Sequence, residues 1–69
     1  MDSAELNTRF TYHAPKEGQP EKYTALRDKA KELAALVVEL CPDSRERSLA
    51  ITKIEEASMW ANASIARRG

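Results

Sequence analysis

Residues 33–50, which read LAALVVELCPDSRERSLA, contain the end of one helix and the start of another. Pro42 disfavours helical geometry at Cys41, so a helix arriving from the N-terminal side ends there. Asp43 is a good N-cap, and Glu46 three residues later completes a capping-box pattern. The segment therefore predicts two helices joined by a short turn, which gives an antiparallel αα-hairpin.

The first predicted helix covers residues 20–41. Pro20 suits its first position, because the missing N–H would be unpaired there anyway. Apolar side chains then recur three and four residues apart, as in an a/d seam, and this pattern predicts core packing. Cys41 extends the same side and is expected to be an inert, buried thiol. The seam consists of Tyr23, Leu26, Ala30, Leu33, Val37 and Leu40.

The second predicted helix covers residues 44–68, and its apolar surface is broader than one partner helix can cover. One stripe comprises Ala50 or Ile51, Ile54, Ala57 or Ser58, Ala61 and Ile65; the other comprises Leu49, Met59, Trp60, Ala63 and Ala66. The surplus, above all Trp60 and Met59, predicts packing against another subunit.

The length of 69 residues allows a single domain, residues 1–69, with residues 1–19 as an N-terminal arm. A chain this short buries only about 60% of its unfolded surface, so small scaffolds add disulfides, a metal or partner subunits. Cys41 is the only cysteine and His13 the only histidine, and they are far apart. We therefore expect no disulfide and no metal site, but assembly into a homo-oligomer.

The charge balance excludes one class of partner. The chain carries 11 basic and 11 acidic side chains, whereas a module that binds duplex nucleic acid shows a basic excess. A small anionic ligand needs only a few cations, so the charge balance does not exclude a partner of this kind. We expect no signal peptide, no membrane span and a reducing compartment such as the cytosol, since the only cysteine is unpaired.

The arm places aromatic rings beside positive charge. It allows a short helical turn around residues 4–8, while Pro15 and Gly18 favour irregular structure over residues 9–19. Its aromatic rings can stack on nucleobases, and cations nearby can hold phosphates. The alternatives are a solvated basic face and rings that attach the arm to a neighbouring groove. The candidate ligand-binding residues here are Phe10, Tyr12, His13, Lys22, Arg27 and Lys29.

No pattern indicates catalysis. His13 has no nucleophile at a readable spacing, and a solvated or hydrogen-bonded loop histidine is the simpler interpretation. The two glycines, Gly18 and Gly69, cannot form a glycine-rich phosphate loop. We therefore expect a binding protein rather than an enzyme, without catalytic residues and without a cofactor.

Three stretches carry a family resemblance: RFTYH (residues 9–13), SRERSLA (44–50) and EEASMWANASIAR (55–67). With them, residues 7–68 resemble the phage-encoded cyclic-oligonucleotide sponges that counter the bacterial CBASS defence. The same hairpin occurs in the related phage anti-Thoeris sponges. The resemblance implies a hexamer in the host bacterial cytoplasm that binds cyclic di- and trinucleotides without cleaving them.

The resemblance also implies two pockets. An arm tyrosine and a basic residue of the first helix, here Tyr12 and Arg27, would bind dinucleotides of the cGAMP type at a subunit boundary. An arginine near the end of the second helix, here Arg67 or else Arg68, would bind trinucleotides of the cyclic tri-adenylate type around a threefold axis. The alternatives are a structural or adaptor hairpin that binds a host protein, and a sponge that hydrolyses its ligand.

Overall fold

The computed structural model describes all 69 residues, which form three α-helices. These are α1 (Ser3–Phe10), α2 (Gln19–Leu40) and α3 (Arg45–Arg68). Helices α2 and α3 pack against each other as a hairpin, which confirms the predicted all-α class and its central motif. None of the three helices is both long enough and apolar enough to cross a membrane.

The N-terminal arm is more regular than its sequence predicted. Helix α1 has eight residues and includes Arg9 and Phe10, which were expected to be irregular. The Asp2 side chain caps it by accepting a hydrogen bond of 2.8 Å from the Glu5 backbone N–H. One turn later Arg9 donates to the Glu5 carboxylate over 3.1 Å, and such i,i+4 pairs stabilise short helices. Irregular backbone is therefore confined to residues 11–18.

Helix α2 starts one residue before the predicted Pro20. Gly18 is the N-cap in the left-handed region, with φ 81° and ψ −12°, and is the only residue with positive φ. Glycine adopts this conformation without the steric cost of a Cβ atom. The chain changes direction at Gly18, and Gln19 then begins α2 beside α3.

The turn between α2 and α3 is capped by Ser44, so the predicted N-cap at Asp43 is wrong. Ser44 is extended, and its hydroxyl accepts a hydrogen bond of 3.1 Å from the Arg47 backbone N–H. Asp43 lies one residue too early, and its carboxylate pairs with the Arg47 guanidinium over 3.1 Å instead. Arg47 also donates to the carbonyl oxygens of Val38 and Cys41, which ties the end of α2 to the start of α3.

Cys41 departs from the expectation of a buried thiol. Helix α2 ends at Leu40, and Cys41 follows as an extended C-cap whose N–H bonds the Val37 carbonyl oxygen over 2.9 Å. Because the backbone is extended at Cys41, this residue no longer continues the helical stripe of α2. The thiol is free and exposed within one copy of the chain.

The predicted seam of α2 divides into two halves. Its a positions, Tyr23, Ala30 and Val37, are partly buried, whereas its d positions, Leu26, Leu33 and Leu40, are exposed. Leu26 and Leu33 instead line an open groove of about 460 Å³ along one face of the hairpin. We call it the leucine groove; its wall on α3 consists of Lys53, Ile54, Ala57, Ser58 and Ala61.

A single copy has no closed apolar core. No hydrophobic residue is buried, and large side chains such as Leu33, Leu36 and Trp60 stay exposed. The Cα positions extend over 46 × 29 × 12 Å, and the shortest of these dimensions is the thickness of a single layer of helices. The radius of gyration is 15.3 Å, whereas a compact chain of this length has about 11 Å.

The one buried side chain is polar. Gln19 is 4% exposed and joins the arm to the C-terminal end of α3. Its Oε1 accepts a hydrogen bond of 2.9 Å from the Lys16 backbone N–H, and its Nε2 donates to the Ile65 carbonyl oxygen over 3.1 Å. The Lys16 ammonium adds a bond of 2.9 Å to the Gly69 carbonyl oxygen. These contacts hold the arm beside the last turn of α3.

We expect Gly18→Ala to destabilise the fold by about 1–2 kcal/mol, the cost of a left-handed residue with a Cβ atom. The cost is conformational, because an added Cβ would meet nothing within 4 Å. Gly18→Asn is the control and should cost less, since asparagine tolerates this region better. Urea unfolding followed by circular dichroism measures both. Equal stability of the alanine variant and the parent would contradict the assigned geometry.

Candidate ligand-binding site

Three arginines converge on an open cavity of about 490 Å³ at the free end of the hairpin. Arg9 comes from α1, and Arg67 and Arg68 come from the last turn of α3. We call this the arginine cavity; its remaining lining residues are Trp60, Ala63 and Ser64. The structure thus brings the two predicted residues Arg67 and Arg68 together with Arg9 and Trp60, which the sequence had not assigned to a ligand site.

Glu5 holds two of these arginines. The Arg68 guanidinium donates to both carboxylate oxygens of Glu5, over 3.1 and 2.5 Å, and Arg9 Nε donates over 3.1 Å. The hydrogen bonds from Arg68, followed by those from Arg9, lower the pKa of the Glu5 carboxyl from its ordinary 4.5 to about 2. The same contact raises the pKa of Arg68. Glu5 and Arg68 therefore both stay charged at neutral pH.

Arg67 and Trp60 are available to a ligand. The Arg67 side chain is partly buried in the cavity wall, and its guanidinium makes no hydrogen bond or ion pair within the chain. The Trp60 side chain is 64% exposed although it lines the same cavity. A guanidinium binds phosphate through paired hydrogen bonds, and an indole ring offers a face for stacking. The cavity therefore combines the two chemistries that a nucleotide requires.

A second concave surface surrounds the predicted residue Arg27. This groove of about 320 Å³ lies on the face of the hairpin where Arg27 and Lys31 of α2 meet Ile51, Glu55 and Met59 of α3. We call it the basic groove. The Arg27 guanidinium makes only a long hydrogen bond of 3.4 Å to the Thr24 hydroxyl, so most of its donors remain free.

The aromatic residues of the arm are accessible. Phe10 is the last residue of α1 and is 84% exposed, and Tyr12, two residues later, is 83% exposed. Tyr12 makes no hydrogen bond and lines neither the arginine cavity nor the basic groove of its own chain. His13 Nε2 lies 2.7 Å from the Thr8 carbonyl oxygen, which agrees with a hydrogen-bonded loop histidine. One copy alone does not bring Tyr12 and Arg27 into a shared pocket.

The two predicted lysines lie apart from both basic sites. Lys22 is exposed in the first turn of α2, and Lys29 stands at the rim of the leucine groove. The Lys29 ammonium pairs with the Glu32 carboxylate over 3.2 Å. Exposed pairs of this kind contribute little to stability, and the surroundings of both lysines are those of a solvated face.

Sequence reasoning missed the contribution of α1 to the arginine cavity. The signal for the helix itself was present, because Asp2 and Glu5 have capping-box spacing and Glu5 and Arg9 have i,i+4 spacing. The contact between Glu5 and Arg68 spans 63 residues and has no local signature. Trp60 was assigned to packing alone, and only the fold shows that it borders three arginines.

The His, Cys, Asp and Glu side chains form no cluster of three or more that could hold a metal ion. The fold and the cavity define a small helical hairpin with a basic, tryptophan-lined cavity at its open end. Residues 2–66 match the model of the family described as Acb2/Tad1, hairpin domain, and the chain belongs to this family. No curated protein matches the chain, and no solved structure matches it.

The family assignment confirms the resemblance drawn from the sequence. The Acb2/Tad1 hairpin domain is found in phage cyclic-nucleotide sponges, which are generally non-catalytic binders. Membership implies that this chain binds cyclic nucleotides. The arginine cavity and the basic groove are the two surfaces of the structure whose charges suit such a ligand.

We predict that Glu5 remains ionised at about pH 3.5, one unit below its ordinary pKa of 4.5. Because folding lowers this pKa, the ionised group stabilises the α1–α3 contact above pH 4.5, and this contribution is lost as the pH falls towards 2. The carboxyl carbon shift of Glu5 in NMR spectra measures the midpoint. Arg68→Gln should raise it towards 4.5, whereas a parent midpoint near 4.5 would contradict the contact.

Proposed function

We propose that this protein is a phage immune-evasion protein that sequesters the cyclic oligonucleotide signals of bacterial CBASS defence. It acts in the host bacterial cytoplasm, where it binds cyclic di- and trinucleotides and holds them intact, so that the effector proteins of the defence are not activated. Family membership supports cyclic-nucleotide binding. The particular ligands, the pockets and the assembly belong to the proposal.

The arginine cavity is the observation that carries the proposal. Three guanidinium groups surround it, and only Glu5 compensates them, so the site retains an excess of positive charge. Such an excess suits phosphates, and the exposed Trp60 ring beside it suits a base. We assign trinucleotides of the cyclic tri-adenylate type to this cavity, with Arg67 as the principal contact and Arg68 as the second.

We assign dinucleotides of the cGAMP type to a pocket formed between two copies of the chain. Tyr12 of one copy would stack on a base, while Arg27 in the basic groove of another copy would bind a phosphate. The support is that Tyr12 is 83% exposed and has no partner in its own chain, whereas Arg27 keeps most of its donors free. Phe10 and His13 lie beside Tyr12 on the arm and are further candidates for this pocket. Lys22 and Lys29 also stay candidates, although in one copy both lie apart from the basic groove.

The flat shape of one copy supports self-association. Two packed helices with no buried hydrophobic residue leave apolar surface in water on both faces of the layer. Burial of apolar surface is worth roughly 25 cal/mol per Å², so a second hairpin over the leucine groove would gain much of the stability that one copy lacks. We propose a homo-oligomer, and specifically a hexamer in keeping with the family resemblance.

Calorimetry with a panel of cyclic di- and trinucleotides tests the proposed function directly. We expect heat of binding with at least one member of each class, and intact ligand after the complex is denatured. Absence of heat with every ligand would favour an adaptor hairpin that binds a host protein. Recovery of cleaved ligand would show a hydrolytic sponge instead.

We predict that Ala61→Glu disrupts assembly, because an unpaired charge would then be buried in the contact over the leucine groove. Ala61→Ser is the matched control, since it is small and neutral and should leave the assembly size unchanged. Light scattering at micromolar concentration measures the mass of each variant. A folded 7.7 kDa monomer of the parent would contradict the proposed assembly.

We predict that the two pockets respond to different substitutions. Tyr12→Ala should weaken dinucleotide binding by about 1–3 kcal/mol through lost stacking, and Arg27→Ala by about 1.5–3 kcal/mol through a lost charged contact. Arg67→Ala should spare dinucleotides and abolish trinucleotide binding. Titration of each variant with one ligand of each class, and light scattering on each variant, measure these effects.

Two results would count against the pockets as assigned. If Tyr12→Ala binds the dinucleotide as the parent does, the arm has a structural role alone. If Arg67→Ala weakens both ligands equally, a single shared basic site replaces the two. A change of assembly size in any of the three variants would make its affinity uninterpretable, which is why light scattering accompanies each titration.

A further inference from the structure

Glu5 lies beside the arginine cavity and contacts two of its arginines. Both of its partners, Arg9 and Arg68, line the cavity, whereas Glu5 itself does not. Its side chain is 29% exposed, compared with 47% for Arg9 and 53% for Arg68. The Glu5 side chain is thus less exposed than either arginine side chain that it contacts, and it is not part of the cavity lining.

The position of Arg9 depends on this carboxylate. Helix α1 has no buried residue, and the Glu5–Arg68 pair is its only hydrogen-bonded or ionic link to α2 or α3. Arg9 Nε and Arg68 Nη2 both contact Glu5 Oε1, so the two nitrogens lie less than 6 Å apart. Like charges at such a separation repel each other, and the carboxylate between them offsets that repulsion.

Glu5 leaves most of the donors of both arginines unused. A guanidinium has five N–H groups. Arg68 uses two of these N–H groups to bond Glu5, and Arg9 uses one, the N–H on Nε. Three donors of Arg68 and four of Arg9 therefore remain for an anion in the cavity, beside the unpaired guanidinium of Arg67.

We infer that Glu5 is a positioning residue of the arginine cavity, which holds Arg9 and Arg68 in place for a phosphate-bearing ligand. The inference deepens the proposed function and rests on its trinucleotide pocket. It adds Arg9 of α1 to that pocket as a ligand contact. It also predicts an effect opposite to that of simple charge repulsion: removal of a negative charge beside the cavity should weaken, rather than strengthen, the binding of an anion.

The test uses inorganic pyrophosphate as a simple probe and the fluorescence of Trp60, the only tryptophan, as the readout. Glu5→Gln should weaken pyrophosphate binding about tenfold, the effect of losing about one charge-assisted contact. Glu17→Gln is the matched control, because it removes the same charge from an exposed arm residue that has no ion pair. It should leave the affinity unchanged or raise it slightly. Glu5→Asp, which keeps the carboxylate, should restore part of the loss.

A double-mutant cycle separates positioning from general destabilisation. Arg9→Gln should weaken pyrophosphate binding by itself, and Glu5→Gln should then cost less affinity than it does in the parent, because one of the two arginines that Glu5 positions is already removed. Additive effects of the two substitutions would show that Glu5 does not act through Arg9. Circular dichroism of each variant checks that α2 and α3 remain folded.

The other possible results also support or overturn the positioning role of Glu5. Tighter binding by Glu5→Gln would make Glu5 a competitor of the ligand and overturn it, as would equal effects of Glu5→Gln and Glu17→Gln. Parent protein that binds no pyrophosphate, or binds it independently of Arg67, would overturn it too. If pyrophosphate behaves as expected while cyclic trinucleotides do not bind, the proposed trinucleotide function fails and the positioning role stands.

Discussion

Two helices packed in a single layer cannot enclose a core, and the other features of this chain follow from that constraint. The layer is 12 Å thick, and the only residue it buries is Gln19. Polar contacts at the two ends therefore fix the geometry of one copy: Arg47 at the turn, and Gln19 and Glu5 at the open end. The apolar faces of the hairpin remain available for contacts between copies.

The hairpin could be predicted from the sequence because its signals are local. The a/d spacing of α2 and the Pro42 stop lie within a few turns of the residues they determine. The errors were local too: Ser44 and not Asp43 caps α3, because two adjacent residues can both cap and only the backbone geometry chooses between them. The burial of Cys41 was inferred from its place on a stripe, and the extended backbone after Leu40 removes it from that stripe.

The site could be predicted only in part. Arg67 and Arg68 were assigned through the family resemblance, and their position in the last turn of α3 makes them neighbours in any helix. Arg9 reaches them through Glu5, across 63 residues of sequence, and no periodicity encodes such a contact. The pairing of Tyr12 with Arg27 cannot be read from one copy, since the pocket we propose takes its groups from two different chains.

The arginine cavity lies at the end of the hairpin opposite the turn, and this placement has a consequence for the order of folding. Contacts near Arg47 join residues fewer than ten positions apart, whereas the Gln19–Ile65 and Glu5–Arg68 contacts span 46 and 63. Short loops close at lower entropic cost, so the hairpin forms from its turn outward. We therefore expect the arginine cavity to be completed last and to open first, so that local unfolding at that end leaves the turn intact.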